Sequence, residues 1–406
     1  MYQTHILKNG LKVIHQQVDG KAAWCGLIIG VGSRDERPEE EGIAHFIEHV
    51  IFKGTEKRKA FHILSRIEDV GGELNAYTTK EDTCIYASFL ARDYERALEL
   101  FADIVFHSVF PEKEIEKEKE VCVHMEFLSY LISGISLGSV YALIALGYTM
   151  VYGIAKMLNF AHGDVIMVGG YISFCAVSYL GLPGWIGVVL AVLVCTVLGV
   201  VIERLAYKPL RAAPSLAVLI TAIGVSYFLQ NSALLIWGAA SISYPPLISG
   251  SLPLFGGKLS IPYVSLLTVA VCLVIMAALT TFINQSKMGK AMRACSEDKG
   301  AAQLMGINVN ATISTTFAIG SALAAIAGVL LCSSYSILSP TTGSMPGIKA
   351  FTAAVFGGIG SIPGAFLGGL LLGIIESLAK AYISTNLANS IVFAVLIVVL
   401  LVRPAG

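Results

Sequence analysis

Residues 127–153 read FLSYLISGISLGSVYALIALGYTMVYG, a run without a single charged side chain. A transmembrane helix needs about 20 mainly apolar residues to cross about 30 Å of hydrocarbon. This run is long enough, and its Gly and Ser residues are the small ones on which membrane helices approach each other closely. It also divides the chain. Residues 1–125 carry 16 Lys+Arg and 22 Asp+Glu, whereas residues 126–406 carry 12 and 6. The net charge of zero therefore averages two parts made for different solvents, water first and a bilayer after it.

Working outward toward the C-terminus, apolar spans recur at about 164–181, 185–202, 215–237, 262–283 and 311–333. A glycine-broken region covers about 347–376, and a last span covers about 386–402. With the opening run, these make eight crossings or near-crossings. They must be helices, because an unpaired backbone polar group in lipid costs several kcal/mol. The expected fold class is thus an all-α polytopic membrane protein preceded by a truncated α+β soluble domain.

Lys and Arg set the orientation. Arg204, Lys208 and Arg211 mark one cytoplasmic loop, and Lys287, Lys290, Arg293 and Lys299 mark another. The opposite loops hold only Lys258. The first span then starts outside, and Arg403 lies inside if the region 347–376 is re-entrant, turning at Gly357-Gly358-Ile359-Gly360.

Working toward the N-terminus, Thr4–Gln16 alternates around Asn9-Gly10, a hairpin signal. Strands are expected at Ala23–Gly32, Leu74–Thr79 and Thr83–Leu90. Helices are expected from Gly42, over Phe61–Val70, over Asp93–Val109 and over Pro111–Val123. The N-terminus has no apolar stretch of the signal-peptide kind. The eight Cys residues form no CxxC pair.

His45-Phe46-Ile47-Glu48-His49 places two His at i and i+4 on one helix face, able to share a Zn²⁺, with Glu48 placed to take a proton from metal-bound water. This is the H-x-x-E-H pattern. With Gly32-Ser33-Arg34-Asp35-Glu36, Phe52-Lys53-Gly54-Thr55, Asn75-Ala76-Tyr77-Thr78 and Glu114–Glu118 around it, the segment resembles the N-terminal domain of the pitrilysin/insulinase zinc metallopeptidases. The resemblance implies metal ligands His45, His49 and a third Glu in the helix after 114. Position 125, where that Glu is due, is Met, and Glu126 is the nearest candidate. The family's long remainder, which closes over the peptide, does not follow. The reading is a truncated, inactive remnant, in which Glu48 would be the catalytic base were it active, and any zinc would bind there.

In the membrane part, Met157-Leu158-Asn159-Phe160-Ala161-His162-Gly163-Asp164, the loop MGKAMRACSEDKGAAQLMGIN at 288–308 and Gly357–Ala365 occur in order. These stretches resemble the permeases of bacterial branched-chain amino-acid ABC transporters of the high-affinity leucine/isoleucine/valine type. The resemblance implies a multi-pass inner-membrane subunit without a cofactor of its own. Its implied partners are ABC ATPase subunits, a second permease, an external substrate-binding protein and the lipid bilayer, with no nucleic acid. A membrane-tethered zinc peptidase is the alternative. No Walker A sequence occurs, so ATP has to be hydrolysed by a partner.

The polar 288–308 segment is expected to be a helix ended by Gly306 that docks on the ATPase through Arg293, Ala294, Glu297 and Gly306. Asn159, His162 and Asp164 are expected at the cytoplasmic mouth of the first two spans. There they either line or gate the path or simply cap a helix, with Asp164 as the candidate cap. Gly357, Gly358 and Gly360 either pack closely or belong to the pathway. Glu203 and Glu376, at span ends, are expected to snorkel or pair. The two resemblances meet at Met125 with no linker, so the expected domains are 1–124 and 125–406. A fusion of a peptidase fragment onto a permease start explains the junction. The C-terminus at Arg-Pro-Ala-Gly reads as clipped.

Overall fold

A computed structural model describes residues 2–402, apart from Pro38, Glu41, Leu158, Ala212 and 255–258. The side chains of 120–123, Ser215, Leu400 and Val402 are also left aside. Leu158 of the first permease motif, and Lys258 and Arg403 of the orientation argument, therefore lie outside the described residues. The chain divides into two compact units, Met1–His124 and Met125–Gly406.

In the first unit, β1 (Gln3–Ile6) and β2 (Lys12–His15) form the hairpin predicted around Asn9-Gly10, with Gly10 at φ 88°. A three-stranded antiparallel sheet runs in the order β3 (Ala22–Ile29), β5 (Thr83–Leu90), β4 (Glu73–Thr78). Helices α1 (Ile43–Val50), α2 (Ala60–Glu68) and α3 (Tyr94–Phe106) accompany the sheet. The alternation along β5 and the 3–4 residue spacing on α2 and α3 bring Ile63, Ile67, Ile85, Leu100 and Ile104 together as a fully buried core. Beside it, Asp103 is buried and accepts hydrogen bonds from Thr55 Oγ1 (2.8 Å) and Arg58 Nη1 (2.5 Å). Burial opposes ionisation of Asp103, but the Thr55 and Arg58 bonds outweigh it and hold the carboxyl below the usual carboxylate range.

The predicted 111–123 helix and the first span are a single element, α4 (Glu112–Ala155). The sequence allows this, since no Gly or Pro occurs between Glu112 and Ile132 to end the helix. After it come α5 (His162–Phe174), continued by a wider turn over Cys175–Tyr179, and α6 (Gly184–Ile202), with another such turn over Glu203–Tyr207. The next elements are α7 (Ser215–Trp237), β6 (Ile242–Ser243), β7 (Ser251–Leu254), β8 (Leu259–Pro262) and α8 (Tyr263–Gln285). Two short helices, α9 (Lys287–Glu297) and α10 (Lys299–Leu304), precede α11 (Val309–Tyr335) and β9 (Ile337–Leu338). The chain closes with α12 (Ser344–Phe356), α13 (Ile362–Tyr382) and α14 (Thr385–Val402). Among the described residues, six helices are long and apolar enough to cross a membrane. β6 pairs with β9, joining two loops that the charge pattern places on the same, outer side.

The region 347–376 is broken as predicted. α12 has 13 residues, about 20 Å and so about two thirds of a crossing, before the turn leads into α13. Gly358 at φ 85° and Gly360 at φ 100° make that turn in the left-handed region open to glycine. α13 then runs back antiparallel along α4. A Cβ on Gly138 would lie 2.7 Å from the Leu370 carbonyl oxygen, and Tyr130 stacks edge-on against Tyr382. Two backbones this close are held by dispersion, the main source of helix association in lipid.

Replacing Gly138 by Leu is expected to force α4 and α13 apart and to lower the melting temperature of the purified protein by several degrees, as overpacking costs about 1–3 kcal/mol. Gly224→Leu, at a site with nothing within 4 Å, is expected to leave the melt unchanged.

Candidate functional site

The membrane unit buries many polar groups, and some of them lie beside broken helices. Asn159, His162 and Asp164 are 4%, 1% and 2% exposed. All three side chains are packed among helices of the membrane unit. His162 packs against Gly147, two turns before α4 ends, and its ring centroid lies 4.6 Å from that of Tyr148. Cys195, midway along α6, points its Sγ at the Val165 carbonyl (3.7 Å). Asp164 accepts a hydrogen bond from Gln230 Nε2 (2.8 Å), well inside α7. The connector after Ala155 therefore folds back into the bundle, and α5 begins in the interior.

Asp164 is not the helix cap. Residue 161 holds that place without a side-chain bond, while the Asp164 carboxylate turns sideways to α7. The same Gln230 amide lies 3.3 Å from Ser344 Oγ at the start of α12. Gly163 faces Gly343 so closely that a Cβ on Gly163 would sit 2.8 Å from the Gly343 carbonyl oxygen. Two helix N-termini, α5 and α12, thus meet inside the bundle, each the positive end of a helix dipole, with most of their first N–H groups already bonded to preceding carbonyls such as Asn159, Ala161, Thr341 and Gly343. Asn159 Oδ1 accepts from Tyr207 Oη (2.8 Å), and His162 Nε2 is buried without a hydrogen-bond partner.

A second buried cluster ties the half-helix α12 to α13. Lys349 Nζ and Lys380 Nζ each lie 2.7 Å from Glu376 Oε1, and Tyr141 Oη donates to Glu376 Oε2 (2.8 Å). Glu203, fully buried, pairs with Arg211 and accepts from Ser314 Oγ (2.6 Å). Both glutamates pair, as expected. Lys349 and Gln230 were missed in the sequence. The signal was there, because an ionisable or amide side chain inside an apolar span needs a reason.

At the cytoplasmic side, the single helix expected over 288–308 is two. Ser286 caps α9 by accepting from the Gly289 N–H (2.8 Å). Asp298 caps α10 by accepting from the N–H groups of Gly300 (2.7 Å) and Ala301 (3.1 Å). An N-cap aspartate in mid-segment breaks the helix and starts another. Arg293 and Glu297 are exposed, Ala294 is half-buried, and Gly306 turns the chain at φ 81°. Leu304 (90% exposed) and Met305 (83%) form a bare apolar knob that composition alone did not mark. Lys299 Nζ donates to the Ala155 carbonyl (2.7 Å) at the end of α4. Burial, then the Arg211 and Lys156 cations, push its pKa below the usual lysine value.

In the first unit, His45 Nε2 and His49 Nε2 lie 3.2 Å apart, a spacing that two nitrogens on one Zn²⁺ would have. Glu48 Oε2 is buried with no hydrogen-bond partner and lies 3.5 Å from His45 Nδ1. Among the described residues, no three His, Cys, Asp or Glu are grouped to hold a metal, so Glu126 does not complete the site. Glu118 instead meets His49 at its other nitrogen, Nδ1 (3.2 Å), and Lys53 Nζ (3.0 Å). The donor set does not fit a three-ligand zinc centre.

Residues 130–401 match the family described as the permease component of branched-chain amino acid transport systems. Over 291 residues the chain is 48% identical to the high-affinity branched-chain amino acid transport system permease protein LivH of Escherichia coli K12, covering 69% of this chain and 94% of that protein. BraD of Pseudomonas aeruginosa, another permease protein of this kind, is 46% identical, with 69% and 95% covered. The chain belongs to this permease family and is a multi-pass membrane protein. Residues 12–128 match the insulinase family, M16. There the chain is 40% identical to the zinc protease YmxG of Bacillus subtilis over 131 residues and spans about a third of it (32%).

Two outcomes follow from these sites. Glu376→Gln alone is expected to destabilise the membrane unit by about 3–5 kcal/mol, since it strands the buried Lys349, whereas Lys349→Met, which leaves Glu376 paired with Lys380 and Tyr141, is expected to cost less. The double variant is expected to recover most of that loss in the same melt. Purified protein dialysed against micromolar zinc is expected to hold well under one zinc per chain by metal analysis.

Proposed function

We propose that the chain is the membrane-spanning permease subunit of an ABC importer for leucine, isoleucine and valine, moving substrate while separate ATPase subunits hydrolyse ATP. The observation that carries this is the match to LivH and BraD along nearly their whole length. Its domains are a truncated M16 N-terminal domain over 1–124 and the permease over 125–406. Its further partners are a second permease subunit and an external substrate-binding protein.

The segment α9–α10 is the coupling element. It is polar, lies between membrane helices, and presents Arg293, Ala294, Glu297 and Gly306 with the Leu304-Met305 knob beside them. An apolar knob rimmed by charges suits a groove on an ATPase, where burying Leu and Met drives association and the charges set orientation. The interior junction of α5 and α12 is the translocation site. Asn159, His162 and Asp164 stand at one broken helix, and Gly357, Gly358 and Gly360 let the other turn. Helix N-termini inside a membrane favour a carboxylate, the group every amino acid carries. The peptidase reading, favoured only by the His45–His49 pair, lacks its third ligand, and the fragment is inactive.

In cells supplied with the partner subunits, labelled leucine uptake is expected with the full chain and equally with residues 1–124 removed. No leucine uptake in either would overturn the assignment. Leu304→Glu/Met305→Glu is expected to keep the protein in the membrane but to lose the ATPase on co-purification and to cut uptake at least tenfold.

A further inference from the structure

A cleft of about 520 Å³ opens between the C-terminal ends of α4 and α8, one side of α9, and the Ile359–Pro363 turn into α13. That volume suits a small molecule, for which sites run about 300–1,000 Å³. Its lining is chemically divided. Lys156 and Arg293 supply two cations, and the start of α13, capped by Ser361, adds the positive end of a helix. Glu297 supplies one anion. Met150, Ile154, Ile283, Met292 and Ile362 supply an apolar wall. Thr149, 2% exposed, also lines it, and its Oγ1 has no hydrogen-bond partner. A buried hydroxyl left unpaired costs about 1–3 kcal/mol, so it marks a place where a ligand or water completes the bonding.

From this arrangement we propose that the cleft binds a free α-amino acid with an aliphatic side chain, the transported product itself, on the inner face, and that occupancy slows the transporter. The carboxylate goes to Lys156, Arg293 and the α13 terminus, the ammonium to Glu297, and the side chain to the Met and Ile wall. The bound molecule bridges α9 to α4 and α13. It therefore stabilises one position of the coupling segment and shifts the transporter toward that position. This rests on the transport reading above and adds to it a second, inward-facing site at the far end of α12, which shares Gly360 with the translocation site and Arg293 and Glu297 with the coupling element.

The test uses the transporter assembled from all its subunits in liposomes, with ATP inside and binding protein and labelled leucine outside. Unlabelled leucine is varied inside. The initial uptake rate is expected to fall several-fold as internal leucine reaches millimolar levels, and not to fall with internal lysine or glutamate. Lys156→Gln is expected to raise the inhibitory concentration about tenfold, the loss of one charge-assisted contact. Ile283→Trp, which fills the cleft, is expected to abolish inhibition. Neither residue belongs to the ATPase contact or the interior junction, so uptake without internal leucine is retained in both. Inhibition unchanged in both variants, or absent while uptake is active, overturns the proposal. Absent leucine uptake counts against the transport reading instead. The cleft is then decided by equilibrium binding of labelled leucine to the complex in nanodiscs without the binding protein. Binding weakened by Lys156→Gln supports the site, and no binding, as when an ATPase element fills the cleft, overturns it.

Discussion

In hydrocarbon no water stands ready to satisfy a polar group, and the whole membrane unit is arranged around that constraint. Its clearest expression is Glu376, almost fully buried yet contacted by Lys349, Lys380 and Tyr141. The carboxylate is tolerable only because three donors converge on it. Those donors come from α4, α12 and α13, so the same bonds that solvate the charge also fix the half-helix. Glu203 with Arg211 and Ser314, and Asp164 with Gln230, repeat the logic elsewhere in the unit.

Small residues set the complementary condition. Where α5 and α12 meet at Gly163 and Gly343, and where α4 meets α13 at Gly138, backbone lies against backbone. Such contact leaves no room for side chains, so the polar ends of broken helices can face each other instead of lipid. The result is an interior where helix N-termini meet the Asp164 carboxylate and a few amides and hydroxyls, while the outer surface stays oily. The polar α9–α10 segment obeys the opposite rule, and its Ser286 and Asp298 caps are ordinary water-side chemistry.

The first unit shows what happens when a site is cut from its supporting chain. The two histidines keep their spacing and Glu48 keeps its place beside them. Among the described residues no third carboxylate, histidine or thiol joins them in a metal-holding group. Glu118 approaches His49 from its other nitrogen, where it orients the ring without facing the point that both Nε2 atoms share. Two ligands and an orienting group are not a zinc centre.

The sequence alone determined the division of the chain into a charged and an oily part, the stretches that form the apolar helices and the break at Gly357–Gly360, although it suggests eight crossings or near-crossings where six helices among the described residues are long and apolar enough to cross. These follow from local composition and spacing, which need no knowledge of neighbours. Tertiary structure decided the rest. That α5 starts inside the bundle, that Asp164 reaches Gln230 66 residues away and not its own helix end, and that Lys349 and Lys380 share Glu376 are long-range pairings. So is the cleft beside α9, assembled from four separate stretches. No window of sequence contains such contacts, because a buried polar group takes whatever partner the packing of distant helices brings within reach.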